Sequence, residues 1–281
     1  MESISNNHEP AHPAKPVAPY IGGKQNLAAR LVKRINAIEH TAYVEVFTGM
    51  GGVFLRRDRR PRVEVINDLN GEIANFFRII QRHYTAFMEM MRFQVPTRVA
   101  FERLKNTDPC LLTDLERAAR FLYLQRLAFG GKVTGQAFGA FVDRTRFDIT
   151  QIAPLLEDLH VRMAGVVIEC LPYQRLIESY DKPGTLFYLD PPYWRSENDY
   201  GKDLFDRSDF QRLADQLAKI DGGFILSLND VPDVRNIFAA FHIEAIKTRY
   251  TIAPNSSKKA GELIISNRLT QSKSKLLQNK V

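Results

Sequence analysis

Short apolar stretches alternate with stretches of helical periodicity along most of this 281-residue sequence. Such alternation is typical of α/β folds, in which helices connect the strands of a largely parallel sheet. The apolar periodicity predicts strands at Tyr43–Phe47, Val63–Asn67, Val166–Glu169, Thr185–Leu189, Gly223–Ser227 and Glu262–Ser266, and helices at Lys24–Ile38, Gly71–Met91 and Ser208–Lys219. We therefore expect an α/β fold with a mixed, mainly parallel sheet.

Residues 81–150 interrupt this alternation, because helical signals dominate there. A capping box at Thr113 and Glu116 precedes an apolar helical stretch. The segment holds eleven Lys and Arg and seven Asp and Glu. Its net charge of +4 is more than half of the chain's net charge of +7. We interpret it as a helical insert at 81–150 in a core formed by 16–80 and 151–267, with a flexible tail at 1–15 and a basic tail at 268–281.

The composition excludes several classes of protein. A content of 44% hydrophobic and 25% charged residues is typical of a globular chain rather than a disordered one. Two cysteines, Cys110 and Cys170, form no disulfide framework, and no His or Cys spacing predicts a metal site. No apolar run reaches the roughly 18–20 residues of a membrane span, and the first residues lack a signal-peptide pattern. We expect a cytoplasmic protein without metal or membrane, and the basic charge is compatible with a polyanionic partner.

The tetrapeptide Asp190-Pro191-Pro192-Tyr193 directly follows a predicted strand. Its prolines fix φ and cannot donate hydrogen bonds to a sheet, so the chain must leave the sheet at this point. The Asp190 carboxylate and a proline carbonyl are both acceptors, and together they can hold the two N–H groups of a planar exocyclic amine. Tyr193 can stack on the ring that carries this amine. The motif is therefore typical of a site for an amino-aromatic group such as adenine.

A glycine-rich turn at Gly49 and Gly51 follows another predicted strand. Its G-x-G-G-x-F spacing differs from the dinucleotide pattern G-x-G-x-x-G, which favours a nucleoside ligand over a phosphate cradle. Asp68 ends the next strand, where it can accept hydrogen bonds from ribose hydroxyls or cap the following helix. Upstream, a Gly-Gly turn places Lys24 at the start of the first helix, where it can hold a carboxylate, although the residues around it do not match a P-loop.

In this order, the motifs resemble those of the α group of DNA N6-adenine methyltransferases, the family of the GATC-specific bacterial and phage methylases. The resemblance extends from about Pro16 to Asn267 and includes the segments Leu226–Asp230 and Gly261–Asn267. It implies a Rossmann-like S-adenosyl-L-methionine-dependent methyltransferase core with a helical target-recognition insert. It also implies methyl transfer to the N6 atom of an adenine flipped out of double-stranded DNA.

The resemblance further implies roles for individual residues. Asp190, Pro191, Pro192 and Tyr193 would hold the target adenine. The cofactor would be contacted by Tyr20, Lys24, Phe47, Gly49, Gly51, Asp68, Leu69, Tyr173 and Asp190. Among these, Lys24 would lie near the cofactor's carboxylate and Asp68 would hold its ribose. Many members of the family carry an Asp just before the aromatic residue at position 173, where this chain has Pro172.

We expect DNA contacts from Arg126 and Lys132 in the insert, and from Lys258 and Lys259 in the segment 253–261. That segment is small and polar, which is typical of either a mobile loop that orders on DNA or a solvated surface turn. A monomer is the simplest expectation for the oligomeric state.

Other functions remain open at this stage. Related sites with Asp or Asn before Pro-Pro-Tyr serve RNA guanine-N2 and protein amide methylation, and a catalytically inactive DNA-binding relative is a further alternative. Pro109-Cys110 resembles the nucleophile motif of cytosine C5 methyltransferases but lies within the insert. The glycine pattern disfavours a nicotinamide dehydrogenase. The sequence does not distinguish a restriction companion, a phage-protective enzyme and a regulatory enzyme.

Overall fold

The computed structural model describes residues 8–20, 22, 24, 26–131, 135–139, 147–196, 205–253 and 256–267, with the backbone alone for 247–253 and 256–260. Its strands are β1 (Glu9–Pro10), β2 (Ala42–Glu45), β3 (Arg59–Arg60), β4 (Val63–Asn67), β5 (Val167–Glu169), β6 (Thr185–Leu189), β7 (Gly223–Asn229), β8 (His242–Ala253) and β9 (Ser256–Ser266). Its helices are α1 (Ala28–Asn36), α2 (Gly71–Arg82), α3 (Tyr84–Arg92), α4 (Arg98–Asn106), α5 (Asp114–Leu127), α6 (Ile149–Arg162), α7 (Tyr173–Tyr180), α8 (Asp209–Leu217) and α9 (Pro232–Ile237).

The described part of the chain forms a main sheet with the strand order β5-β4-β2-β6-β7-β9-β8. Neighbouring strands from β5 to β7 are parallel, whereas β9 runs antiparallel to both β7 and β8. β2 lies between β4 and β6, with Glu45 opposite Tyr188, so the chain segments that follow β2 and β6 emerge side by side. Ligands of α/β sheets bind at such a switch point, beyond the carboxyl ends of the strands. The predicted mixed, mainly parallel α/β fold is confirmed.

Alternate strand residues pack into separate apolar layers on the two faces of the sheet. Tyr43, Ile66 and Leu186 pack with α1, α2 and the helices from α3 to α6. Val44, Val65 and Phe187 pack against α7, α8 and α9 on the opposite face. The helices between α3 and α6 therefore share their apolar core with the main sheet and with α1 and α2.

α5 forms the centre of the helical segment. It begins with the predicted capping box, in which Thr113 accepts from the Glu116 amide and the Glu116 carboxylate accepts from the Thr113 amide. Nearly every turn of the helix is buried, including Phe121, Leu122 and Tyr123. These three residues belong to the core, as their apolar character indicates.

A buried ion network stabilises the sheet on the α6 side. Glu64 of β4 accepts from Arg57 at 2.9 Å and from Arg162 of α6 at 2.7 and 2.8 Å. The side chains of all three residues are 0–1% exposed. Such a pair of cations depends on the carboxylate between them, because an unpaired buried charge is strongly unfavourable.

Several predicted boundaries are wrong. The helix predicted over Gly71–Met91 is divided into α2 and α3, because His83 between them has the non-helical angles φ −127 and ψ 34. β8 is a strand that was not predicted from the mixed polar and apolar sequence of 242–253, and β9 begins at Ser256 rather than at Glu262. The segment 253–261, expected to be a loop or surface turn, is therefore largely part of a β-hairpin, of which Pro254 and Asn255 lie outside the described residues.

The predicted flexible tail at 1–15 is also partly wrong, since residues 8–15 are packed onto the fold. β1 pairs with β3, with Glu9 opposite Arg60. Ala14 is 4% exposed and its amide donates to the Leu55 carbonyl. Residues 1–7 and the predicted basic tail at 268–281 lie outside the described residues. Within the part of the chain described here, no helix is both long and apolar enough to cross a membrane.

Candidate active site

A cavity opens at the switch point between β2 and β6 and collects most of the predicted site residues. Its wall includes nine of them, namely Tyr20, Lys24, Phe47, Gly49, Asp68, Leu69, Tyr173, Asp190 and Pro192. Gly51, Pro191 and Tyr193 are not among its described wall residues, although each is next to a residue that is. Residues separated by more than 160 positions in the sequence thus meet in one place.

The glycine turn and Asp68 are joined directly. Gly49 has a φ of +51°, and a Cβ atom there would lie 2.8 Å from Tyr20 Cε1. Its amide donates to Asp68 Oδ2 at 2.8 Å, while the Asn70 amide donates to Asp68 Oδ1 at 2.9 Å. Burial raises the pKa of Asp68 to about 6, and these two amides counteract the increase. The cap of α2 is Asn70, which accepts from the Glu72 amide; Asp68 fixes the turn and faces the cavity.

Part of the cavity wall is apolar and aromatic. The Phe47 ring lies 6.0 Å from the Tyr173 ring and 5.8 Å from the Phe205 ring, and all three residues line the wall. Tyr173 is 5% exposed and donates to Asp209 Oδ1 at 2.9 Å, so its ring is fixed in place. Leu69 lies on the same wall and is 37% exposed. These rings can pack against a flat ring of a ligand, and the Asp68 carboxylate lies on the wall of the same cavity.

Asp190, at the carboxyl end of β6, also lines the cavity. Lys24 Nζ lies 2.8 Å from Asp190 Oδ1, and Ser227 of β7 donates to the same oxygen at 3.0 Å. Burial raises the pKa of Asp190, whereas the Lys24 ammonium and the Ser227 hydroxyl counteract this effect. Among the described contacts none involves Oδ2, which leaves that oxygen available as an acceptor for a ligand.

Lys24 is 3% exposed and uses its donors within the protein. Besides Asp190, Lys24 Nζ donates to the Tyr193 hydroxyl at 2.6 Å and to the Gly22 carbonyl at 3.4 Å. An ammonium group has three N–H donors. The three acceptors therefore occupy all of them and connect the opening turn of the chain to the Asp-Pro-Pro-Tyr motif.

Glu262 of β9 lies beside this group, and its role was not predicted from the sequence. Its side chain is fully buried, and neither carboxylate oxygen makes a hydrogen bond of ordinary geometry with a described residue. Burial raises the pKa of Glu262, and the nearby Lys24 ammonium and Tyr193 hydroxyl counteract the increase. Burial and the neighbouring Asp190 and Glu262 in turn raise the pKa of Tyr193, so its hydroxyl remains protonated.

The loop after Asp190 is held in place by Asn229 at the end of β7. The Trp194 amide donates to Asn229 Oδ1 at 2.9 Å, and Asn229 Nδ2 donates to the Trp194 carbonyl at 3.1 Å. Pro191 and Pro192 are buried. The motif is thus rigid, as its prolines predict.

Ser227, Asn229, Glu262 and Phe205 are site residues whose individual roles sequence reasoning missed. The first three were included in segments that resemble the family, but no role was assigned to them. A polar residue within an apolar strand, such as Ser227 in β7, was the available signal, because buried polar groups require partners. Nothing in the local sequence of Phe205 indicated that it would join Phe47 and Tyr173.

The structure distributes the predicted DNA-contact residues differently. Arg126 is half-buried and donates to the Val17 carbonyl at 3.0 Å, so it supports the segment that leads into the cavity. Lys258 and Lys259 occupy β9 opposite Tyr250 and Arg249 of β8, and only their backbone is described. Lys132 lies outside the described residues. Cys110 is exposed in a 3₁₀ turn and is not among the described wall residues of the cavity.

The fold and the cavity together define a methyltransferase of the Rossmann-like α/β class. A family model of D12 class N6 adenine-specific DNA methyltransferases matches residues 20–252, and the chain belongs to this family. The family accounts for the order of the motifs along the chain and for their meeting at one edge of the sheet.

Curated relatives agree with this assignment. The type II methyltransferase M1.LlaDCHI of Lactococcus lactis subsp. cremoris is 25% identical over 90% of this chain and 95% of its own length. The type II methyltransferase M.CviBI of Paramecium bursaria Chlorella virus NC1A is 20% identical over 89% of this chain and 96% of its own length. The DNA N-6-adenine-methyltransferase of Escherichia phage P1 is 26% identical, and the match covers 83% of this chain and 32% of the phage protein.

Proposed function

We propose that the chain transfers the methyl group of S-adenosyl-L-methionine to the N6 atom of an adenine flipped out of double-stranded DNA. The observation that carries the proposal is the arrangement at Asp190. One oxygen of its carboxylate is held by Lys24 and Ser227, and the other is open. Asp190 lines the same cavity as Asp68 and the Gly49 turn. Membership of the D12 family supplies the reaction class.

The residues of the cavity fit the cofactor. The rings of Phe47, Tyr173 and Phe205 suit its adenine, and the neighbouring Asp68 carboxylate can accept from its ribose hydroxyls. At Gly49 the absence of a Cβ lets the Tyr20 ring, which also lines the cavity, pack directly against the turn. When bound, the cofactor supplies an electrophilic methyl group on a sulfonium ion.

Asp190 acts on the target amine. The lone pair of the adenine N6 atom is delocalised into the ring and is therefore a weak nucleophile. Asp190 Oδ2 and the Pro191 carbonyl accept the two N6–H groups and favour a tetrahedral nitrogen whose lone pair faces the methyl group. The N6–C bond forms as the sulfonium S–C bond breaks, with S-adenosylhomocysteine leaving as a neutral thioether. N6 loses one proton to solvent water during or after transfer. Positioning and a preorganised polar environment lower the barrier.

Lys24 and Ser227 position the reacting carboxylate. Both contact Oδ1, so they fix the orientation of the carboxylate and keep Oδ2 directed to the substrate. Lys24 also holds the Tyr193 hydroxyl, which sets the ring of Tyr193 for stacking on the target base. The bonds from Asn229 to Trp194 keep this platform from moving when the base enters.

Residues 81–150 act as the target-recognition insert in this proposal, and residues 16–80 and 151–267 as the catalytic core. The excess of Lys and Arg in the insert suits the DNA backbone. Lys258 and Lys259 on the β8–β9 hairpin and Lys132 remain predicted DNA contacts. Arg126 also remains a predicted DNA contact, and in addition its hydrogen bond to the Val17 carbonyl supports the segment that leads into the cavity.

Methyl transfer from labelled S-adenosyl-L-methionine to unmethylated plasmid DNA tests the proposal. The product is digested for nucleoside mass analysis and mapped by single-molecule sequencing. We expect N6-methyladenine in a recurring sequence context. N2-methylguanine in an RNA substrate, or cofactor binding without any DNA product, would instead favour the RNA methyltransferase or the inactive DNA-binding relative.

A further inference from the structure

Two cationic side chains, Lys24 and Arg56, are among the described residues that line the cavity. They differ in how many of their donors are in use. The three N–H groups of Lys24 donate to Asp190, Tyr193 and Gly22. A carboxylate could bind Lys24 only by replacing one of these acceptors, two of which belong to the catalytic motif.

Most N–H donors of Arg56 make no hydrogen bond to a described residue. Its guanidinium carries five N–H donors, and its hydrogen bond to a described residue is the one from Nη1 to the Gly52 carbonyl at 2.5 Å. No acidic side chain among the described residues forms an ion pair with it. Arg56 is half-buried, and burial lowers its pKa. A partly desolvated cation without a counter-ion at the wall of a cavity favours an anionic ligand.

The position of Arg56 is also consistent with an anion-binding role in the cavity. It ends the 3₁₀ turn Phe54–Arg56, directly after the glycine turn, and its bond to Gly52 anchors the guanidinium next to that turn. The rings of Phe47, Tyr173 and Phe205 line the same cavity. A ligand whose purine packs on these rings places its amino-acid group elsewhere in the cavity, where Lys24 and Arg56 are the cationic side chains among the described wall residues.

We propose that Arg56, rather than Lys24, binds the carboxylate of the cofactor's amino-acid group. This assignment rests on the proposed cofactor site and changes the role that the family resemblance implies for Lys24. The planar guanidinium can hold a carboxylate with two parallel hydrogen bonds. Lys24 then stays with Asp190 and Tyr193 when the cofactor is bound, so cofactor binding and orientation of the catalytic carboxylate are served by separate cations.

Binding measurements by calorimetry test this assignment without requiring methyl transfer. The ligands are S-adenosylhomocysteine and its decarboxylated analogue, which keeps the amine and lacks the carboxylate. The wild-type chain is compared with Arg56→Met and with Arg59→Met, which removes an exposed neighbouring cation. Arg56→Lys, which keeps the charge but not the fork of donors, is measured in case Arg56→Met does not fold.

We expect the wild-type chain and Arg59→Met to prefer S-adenosylhomocysteine over the analogue by about tenfold or more, the order of one hydrogen bond between charged groups. In Arg56→Met, S-adenosylhomocysteine should bind about as weakly as the analogue, whose own affinity stays unchanged. In Arg56→Lys the preference should be reduced but not lost.

Three results would overturn the assignment in different ways. A full preference in Arg56→Met, or in Arg56→Lys if only that variant folds, would exclude Arg56 as the carboxylate ligand. An equal loss of affinity for both ligands would show that Arg56 acts through the shape of the site. A wild-type chain that binds neither ligand would contradict the proposed cofactor site itself, so this failure is distinguishable from the first two.

Discussion

The Lys24 ammonium lies 2.8 Å from Asp190 Oδ1, although 166 positions separate the two residues in the sequence. The contact joins the turn before the first helix to the motif after β6. Because Ser227 donates to the same oxygen, Oδ2 of Asp190 is left to the substrate. The pair therefore determines both the orientation and the charge of the carboxylate at the reaction centre.

Replacing Lys24 by Met should move the acid limb of the pH–rate profile to higher pH. Asp190 accepts hydrogen bonds from the amine in its ionised form, so activity falls as pH drops through its pKa. Burial raises this pKa and Lys24 lowers it, so loss of the ammonium leaves the pKa higher still. Single-turnover methylation between pH 5 and 9 measures the limb. A slower Lys24→Met enzyme whose limb is unmoved would argue against this role.

Asp68 should make cofactor binding weaker in acid. Its pKa of about 6 leaves the carboxylate ionised at pH 8 and protonated at pH 5, where it can no longer accept from the Gly49 amide and the ribose together. We expect S-adenosylhomocysteine to bind at least several-fold more weakly at pH 5 than at pH 8. In Asp68→Asn the affinity should be low and nearly independent of pH, and a pH dependence as large as that of the wild type would assign the titration to another group.

Gly49→Ala should greatly weaken cofactor binding. The positive φ costs a side chain about 1–2 kcal/mol, and the added Cβ would lie 2.8 Å from Tyr20. Gly71→Ala is the matched control, because a Cβ there meets no atom within 4 Å. Calorimetry should show at least a tenfold loss of affinity for Gly49→Ala and less than a twofold change for Gly71→Ala. Equal affinities would mean that the turn adapts and does not shape the site.

Glu64→Gln should destabilise the fold by about 3–5 kcal/mol, because it leaves Arg57 and Arg162 buried without their shared counter-ion. Glu102→Gln is the control, since it removes the exposed pair with Lys105 and should change stability by less than about 0.5 kcal/mol. The free energy of unfolding in urea measures both. A change below about 1 kcal/mol in Glu64→Gln would show that the network contributes little.

The local parts of the site could be predicted from the sequence. The glycine turn, Asp68 and Asp190 each follow a short apolar strand, and the carboxyl ends of parallel strands meet at one edge of a sheet. The residue types of these features also narrow the chemical class of the ligand, because carboxylates accept hydrogen bonds and glycines allow a ligand to approach the backbone. These features depend on neighbours in the sequence, so the sequence alone is enough to predict them.

Other parts depend on contacts that no local pattern encodes. The mixed polar and apolar sequence of 242–253 becomes β8 because β9 pairs with it, and the amide of Ala14 near the N-terminus donates to the carbonyl of Leu55. The partners of Ser227 and Arg56, and the burial of Glu262, are known only once the strands and turns are placed. Lys24 combines the two cases. Its place in the site could be predicted from the sequence, but the three acceptors that occupy its N–H groups could not.

The most direct test compares the wild-type chain with Asp190→Ala in one experiment. Methyl transfer to unmethylated DNA is followed by nucleoside mass analysis, and S-adenosylhomocysteine affinity is measured on the same preparations. We expect N6-methyladenine from the wild type, none above background from Asp190→Ala, and cofactor affinity in the variant that remains measurable. Substantial N6-methyladenine from Asp190→Ala, or none from a wild-type chain that binds the cofactor, would contradict the proposed reaction at Asp190.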